Sequence, residues 1–186
     1  MKRFLILCLL GLSTLSVAQV PDLYSGKDYK IVDGIVKRTY DGDTPGIKFA
    51  GVDTITTCRV LYFDTPEDNV WYVTRKQPGG KAATDTAHAI LINKAVRVGV
   101  FGKDRYNRPL VIIWVDGVRF DELMLKKGMA WYLPLSNSVS VPARLQLKGG
   151  IAISKQAQTN QLGVFNKKVY ASRALLPATW RVKYKR

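Results

Sequence analysis

Three acids and two arginines carry the chemistry open to this chain. Asp43 stands in the run Asp41-Gly42-Asp43-Thr44, Asp64 and Glu67 in Asp64-Thr65-Pro66-Glu67, and Arg108 closes Asp104-Arg105-Tyr106-Asn107-Arg108. Arg59 lies among apolar residues just before Asp64. Each acid falls at a turn or strand end of a chain whose formal charge is +15. If the three carboxylates converged, repulsion would raise their pKa values unless a cation joined them. Hard oxygen donors, with no nitrogen or sulfur ligand nearby, point to calcium or magnesium. Taken singly, each acid has a plainer explanation, since short acidic side chains favour turns by bonding nearby amides.

A planar guanidinium suits two-point contact with phosphate. Arg59 is the more unusual of the pair, because a charge among apolar neighbours is costly without a partner. The alternative is a stem that runs out to a barrel rim. Arg108 follows a tight turn, where a surface arginine needs no special reason. Arg59 and Asp64 are five residues apart, so regular alternation puts them on opposite faces. Both can serve one site only if the strand bends, and a bend is predicted between Val60 and Asp64.

The elements that must position these residues follow from pattern. Residues 31–40, 47–50 and 56–64 read as strands, separated by turns at Asp41-Gly42-Asp43 and Gly51-Val52-Asp53. Pro45 is expected to shorten the second strand. Residues 81–93 are alanine-rich, with Ala83, Ala87, Ile90 and Leu91 at helical spacing. Strands are predicted at 95–101 and 110–115, a short helix at 121–127 stopped by Gly128, and a last helix at 143–158, weakened by Gly149 and Gly150. Three strands, a helix, two strands and then helices give an α+β chain: a five-stranded OB-fold β-barrel with an inserted helix and C-terminal helices.

The ends read differently. Lys2 and Arg3, an apolar run over 4–12 and the small residues Ser16-Val17-Ala18 form a signal-peptide pattern, with cleavage expected after Ala18. The run is too short to span a membrane comfortably. The expected organisation is a signal peptide at 1–18, a lead-in at 19–30, an OB-type barrel domain at 31–165 and a basic tail at 166–186. Export, to the periplasm or outside the cell, is the expected fate, as a monomer with no membrane insertion. Without Lys2 and Arg3 the charge is still +13. Such a surplus attracts polyanions: nucleic acid, acidic polysaccharide or anionic membrane. No long amphipathic basic helix supports the membrane. The tail carries Lys167, Lys168, Arg173, Arg181, Lys183, Lys185 and Arg186 with Tyr170, Trp180 and Tyr184 between them. It reads equally as an arm for a nucleic-acid backbone or as a solvated end. Cys58 alone remains after cleavage and reads as a small buried hydrophobe, so neither a disulfide nor a zinc site is expected. His88, the sole histidine, sits in the predicted helix, which disfavours a histidine mechanism.

In this order and around this strand pattern, the acidic and arginine segments resemble the staphylococcal nuclease family. That family has an Asp-Gly-Asp-Thr turn, an Arg-x-x-x-x-Asp-x-Pro-Glu strand end and an Asp-x-Tyr-Gly-Arg turn. Gly128-Met129-Ala130-Trp131 and Leu162-Gly163-Val164-Phe165 are similar to its later Gly-Leu-Ala and Gly-Leu-Trp segments. The resemblance implies a calcium-dependent hydrolase of phosphodiesters in DNA or RNA, leaving 3′-phosphates. It implies that Asp43, Asp64 and the Thr65 carbonyl bind Ca2+, that Glu67 orients or deprotonates water, and that Arg59 and Arg108 hold the phosphate. Asp41 would support the metal turn, and Arg105 and Tyr106 would contact substrate. Asn107 replaces the family's glycine and is expected to take the same left-handed turn. The stacking tyrosines of the best-known member have no match at 133–136, leaving Trp71, Tyr72, Trp131 and Tyr132 as substitutes. The competing expectation is an OB-type module that binds nucleic acid without cutting it; it fits the charge but leaves three acids unexplained where a polyanion should dock.

Overall fold

The computed structural model describes residues 29–68, 73–170 and 175–185. The signal peptide expected at 1–18, all but the end of the lead-in, Trp71, Tyr72, Arg173 and Arg186 lie outside the described residues. The architecture is α+β. In chain order the strands are β1 (Lys30–Asp41), β2 (Thr44–Phe49), β3 (Ile55–Thr57), β4 (Arg59–Val60), β5 (Phe63–Asp64), β6 (Ala95–Lys103), β7 (Pro109–Val115), β8 (Val118–Arg119) and β9 (Trp131–Tyr132). The helices are α1 (Gly80–Leu91), α2 (Phe120–Lys126), α3 (Gly150–Thr159) and α4 (Pro177–Lys183).

The main sheet runs in the order β3-β2-β1-β6-β7-β4, with β8 beside β7. β3 and β4, at its two ends, are halves of one run of chain. β3 pairs antiparallel with β2, and β4 pairs parallel with β7, with Arg59 opposite Leu110. Cys58 N–H donates to the Pro45 carbonyl (2.9 Å) and Val60 N–H to the Asp43 carbonyl (3.0 Å), so the same run also lies along the start of β2. The sheet therefore curls until its ends share a strand, the five-stranded pairing of an OB-type fold. Inside it Val36, Ile47, Val60, Val98, Ile112 and Ile113 are fully buried. α1 covers one end with Ala83, Ala87 and Leu91, four residues apart on one face. α2 adds Phe120, whose ring meets that of Phe63 edge-on at 5.7 Å.

Three expectations change. Residues 56–64 are not one strand. The chain leaves β4 at Leu61, takes a left-handed backbone at Tyr62 (φ 73°), and restarts as β5, which pairs with β9 in a separate sheet. A left-handed tyrosine costs on the order of 1 kcal/mol; the Arg119 guanidinium lies over its ring at 5.3 Å. The bend predicted between Val60 and Asp64 is this turn. Pro45 lies within β2 instead of shortening it. Its missing N–H is tolerated because the β1–β2 register shifts beside it, between Thr39 and Asp41. The helix expected at 143–158 is a single 3-10 turn at Ala143–Leu145 followed by α3, because Gly149 takes φ 70° and starts a new helix. Asn107 does adopt the left-handed conformation, at φ 64°.

Candidate active site

The turn between β1 and β2 delivers Asp43, and the bent end of β5 delivers Asp64, Thr65 and Glu67. All four are buried. Gly42 makes the approach possible, since a Cβ there would lie 2.7 Å from the Thr65 side chain. Thr65 then ties the two segments together. Its N–H and its hydroxyl both donate to Asp43 Oδ2, at 3.1 and 3.2 Å. Thr44 Oγ1 donates to Asp43 Oδ1 at 2.9 Å.

Arg59 is the charge partner that its apolar strand requires. Its Nη1 lies 2.5 Å from Asp43 Oδ1 and its Nη2 lies 2.7 Å from Asp64 Oδ1. Burial works against its charge, but Asp43 and Asp64 outweigh burial and hold the guanidinium firmly protonated. Without the turn at Tyr62, Arg59 and Asp64 would face apart; with it, they bond directly.

Glu67 is positioned through its backbone. Its N–H donates to Gln77 Oε1 at 3.2 Å, and its carbonyl accepts from Gln77 N–H at 2.7 Å. Gly80, the first residue of α1, packs onto the same peptide: a Cβ there would lie 2.5 Å from the Glu67 carbonyl oxygen. Burial pushes the Glu67 carboxyl up, and Asp43 and Asp64 add to the rise although Arg181 opposes it. Asp41 is pushed up to about 8, by burial first and then by Asp43 and Glu67. Asp64 moves the other way. Burial would raise it, but Arg59 and then Arg181 hold it below the ordinary carboxylate range. The acids of the pocket are thus pushed apart: burial raises Asp41 and Glu67 while the arginines hold Asp64 down.

Arg181, on α4, is the residue that sequence reasoning missed. Its Nη2 lies 2.7 Å from Asp64 Oδ2, its Nη1 lies 3.2 Å from Asp64 Oδ1, and Nη1 also donates to Glu67 Oε1. One weak signal was available: Pro177 suits the first turn of a helix, which would present Trp180 and Arg181 together. Gln77 and Gly80, which hold the Glu67 backbone, were likewise not singled out from the sequence.

Arg108 lies two residues before Leu110, the partner of Arg59 in the sheet. Its guanidinium is engaged within its own turn: Nε donates to Asp104 Oδ2 at 2.8 Å and Nη2 lies 2.7 Å from the same oxygen. Arg105 and Arg108 both flank the half-exposed Tyr106 ring, at 4.9 and 5.5 Å from its centroid. The structure therefore brings Asp43, Asp64, Thr65, Glu67 and Arg59 into one cluster and sets Arg105, Tyr106 and Arg108 together on a neighbouring turn. His88 stands apart, its Nδ1 3.1 Å from Thr39 Oγ1 on the exposed face of α1.

The donor set, carboxylate and hydroxyl oxygen, suits a hard divalent cation. Among the described residues no three His, Cys, Asp or Glu side chains are arranged to hold a metal ion. Two guanidiniums stand among the carboxylates.

A family model described as staphylococcal nuclease homologue matches residues 47–167, well over half of the chain. The chain belongs to the staphylococcal nuclease family. The match begins after Asp43 and ends before Arg181. A protein of Oryza sativa subsp. japonica described as a probable staphylococcal-like nuclease is 29% identical over 161 residues, which cover 84% of this chain and 43% of that protein. A thermonuclease of Staphylococcus intermedius is 36% identical over 108 residues, covering 57% of this chain and 62% of that one. An uncharacterized endonuclease of Escherichia coli O157:H7 is 31% identical over 116 residues, covering 62% and 70%. The chain thus spans less than two thirds of the rice and staphylococcal relatives.

Proposed function

We propose that this protein is an exported nuclease that hydrolyses phosphodiester bonds in DNA or RNA with calcium as its cofactor. One observation carries the reading. Asp43, Asp64 and Glu67, spread along the sequence, are buried in one pocket and ion-paired to arginines that are themselves suited to phosphate. A polyanion-binding surface has no use for buried acids at its centre, because they repel the ligand.

Asp43, Asp64 and the Thr65 carbonyl would hold the cation, whose contribution is to polarise a phosphoryl oxygen and ease ionisation of a nearby water. Glu67, its carboxyl raised toward neutrality by burial, is suited to take the proton of that water. The water oxygen bonds to phosphorus and the bond to the 5′-oxygen breaks, leaving a 3′-phosphate, the outcome that family resemblance leads us to expect. Arg59 is fixed before substrate arrives, so it can offset charge on the transition state without reorganising. Arg108 completes the grip by leaving Asp104 for the phosphate, with Arg105 and Tyr106 contacting the flanking nucleotide. The signal-peptide pattern of the sequence at 1–18 supports export.

The test is hydrolysis of single-stranded DNA, duplex DNA and RNA in calcium, in magnesium and in chelator. Wild type is expected to cut in calcium, and Glu67→Gln to lose about 10²-fold or more in kcat. Tight binding without cutting under every metal would replace the enzyme with a binding module.

A further inference from the structure

The described end of the tail, residues 175–185, folds back onto the segment that holds Glu67. The Trp180 indole N–H donates to the Arg75 carbonyl at 2.9 Å, and its ring lies 4.2 Å from that of Tyr184. Thr74 N–H donates to the Tyr184 carbonyl at 2.8 Å, and Val73 pairs with Lys185. Gln77 joins the two ends of the arrangement. Its Oε1 accepts from the Glu67 amide, and its Nε2 donates to the Leu175 carbonyl at 2.6 Å. Yet α4 is not seated by all of its apolar residues. Val182 is 81% exposed and Leu176 53% exposed, while Trp180 is 6% exposed. What turns inward is Pro177, one indole and one guanidinium.

We propose that α4 is a displaceable plug: Arg181 occupies the oxygens of Asp64 and Glu67 that a divalent cation and a reacting water need, so docking of α4 and binding of the cation compete. The inference rests on the reading of Asp64 and Glu67 given above. A carboxylate has about four acceptor positions. Asp64 spends three of them on guanidinium hydrogens, one on Arg59 and two on Arg181. A dication brought to the same oxygens meets both their shortage and the positive charge of Arg181. Glu67 spends one of its two oxygens, Oε1, on Arg181 as well. The apparent affinity for the cation is then the intrinsic affinity multiplied by the fraction of molecules in which α4 is undocked.

The test uses the full chain and calcium alone, without nucleic acid. Calcium affinity is measured by calorimetry for wild type, for Arg181→Gln, and for Trp180→Ala, which keeps the guanidinium but removes its seat. Trypsin cleavage after Arg181 and Lys183 is followed in wild type with and without calcium. Both variants are expected to bind calcium about tenfold tighter or more, and calcium is expected to expose the wild-type tail to trypsin. The variants undo the plug by different routes, so if one misfolds the other decides. Unchanged or weaker calcium binding in the variants overturns the plug and leaves the cation site standing. No calcium binding in any of the three proteins removes the cation site, and the plug with it.

Discussion

Replacing Arg59 with methionine removes a charge and keeps most of the stem volume, so the loss it causes measures the buried ionic cluster. The Asp43 and Asp64 side chains are 4% and 6% exposed, and each touches the Arg59 guanidinium, at 2.5 and 2.7 Å. With charge centres about 4 Å apart and an effective dielectric near 20, each attraction is worth roughly 4 kcal/mol. Desolvation of the guanidinium returns several kcal/mol of that total. Breaking such a pair from one side nevertheless costs about 3–5 kcal/mol, because the carboxylates stay buried without their partner. With a urea dependence of about 2 kcal/mol per molar, the unfolding midpoint should fall by about 1.5–2.5 M in chelator. The control is Lys81→Met, which breaks the exposed Lys81–Asp85 pair and should leave the midpoint where it is. In an Asp43→Asn background the Arg59 substitution should cost distinctly less, because one of the acids it serves is already neutral. Calcium should return part of the lost stability by binding only the folded state. A midpoint shift no larger than that of the Lys81 control would refute the reasoning, since the acids would then be solvated rather than held together by Arg59.

Gly80→Ala would drive a Cβ against the Glu67 carbonyl. It should lower kcat by about tenfold or more while shifting KM less, as a displacement of about 1 Å does at a reacting centre; steady-state kinetics separate the two. The Asp104 carboxyl is held below the ordinary range: burial opposes this, but the Arg108 amide and guanidinium outweigh it. Its contribution to the 104–108 turn is therefore complete above the usual carboxylate pKa and is lost only as pH falls through the lower folded value. The Tyr106 and Arg108 amide resonances, both bonded to Asp104, should hold their shifts down to that point, and Asp104→Asn should abolish the transition. Burial pushes the Cys58 thiol up to about 12. A thiol reagent at pH 8 should meet about one thiolate in 10⁴ molecules, so labelling should track global unfolding and accelerate with urea; fast labelling in the native state would show that the β3–β4 junction opens on its own.

The parts of this molecule that were legible are those whose physics is local or periodic. The barrel strands and α1 follow from alternation and alanine spacing. Asn107 follows from the conformation a tight turn demands. The bend at Tyr62 was legible for a different reason: Arg59 and Asp64 could meet only if regular alternation failed, so the chemistry predicted a break in the structure. Where a rule of spacing met a glycine or a proline in three dimensions, it failed. Gly149 split a helix that composition joined, and Pro45 was absorbed by a register shift that only the neighbouring strand reveals. Arg181 was illegible on other grounds. It is one of many basic residues in a tail without acids, and only the helix start at Pro177 hints that it differs from Lys183 or Arg173. Its partners are more than a hundred residues away, and their attraction for it exists only because folding has buried Asp64 and Glu67 together. A pocket that gathers acids for a cation gathers, by the same charge, any guanidinium the chain can bring to it. A tail that reads equally as an arm for a polyanion or as a solvated end is thus drawn first to the chain's own buried acids.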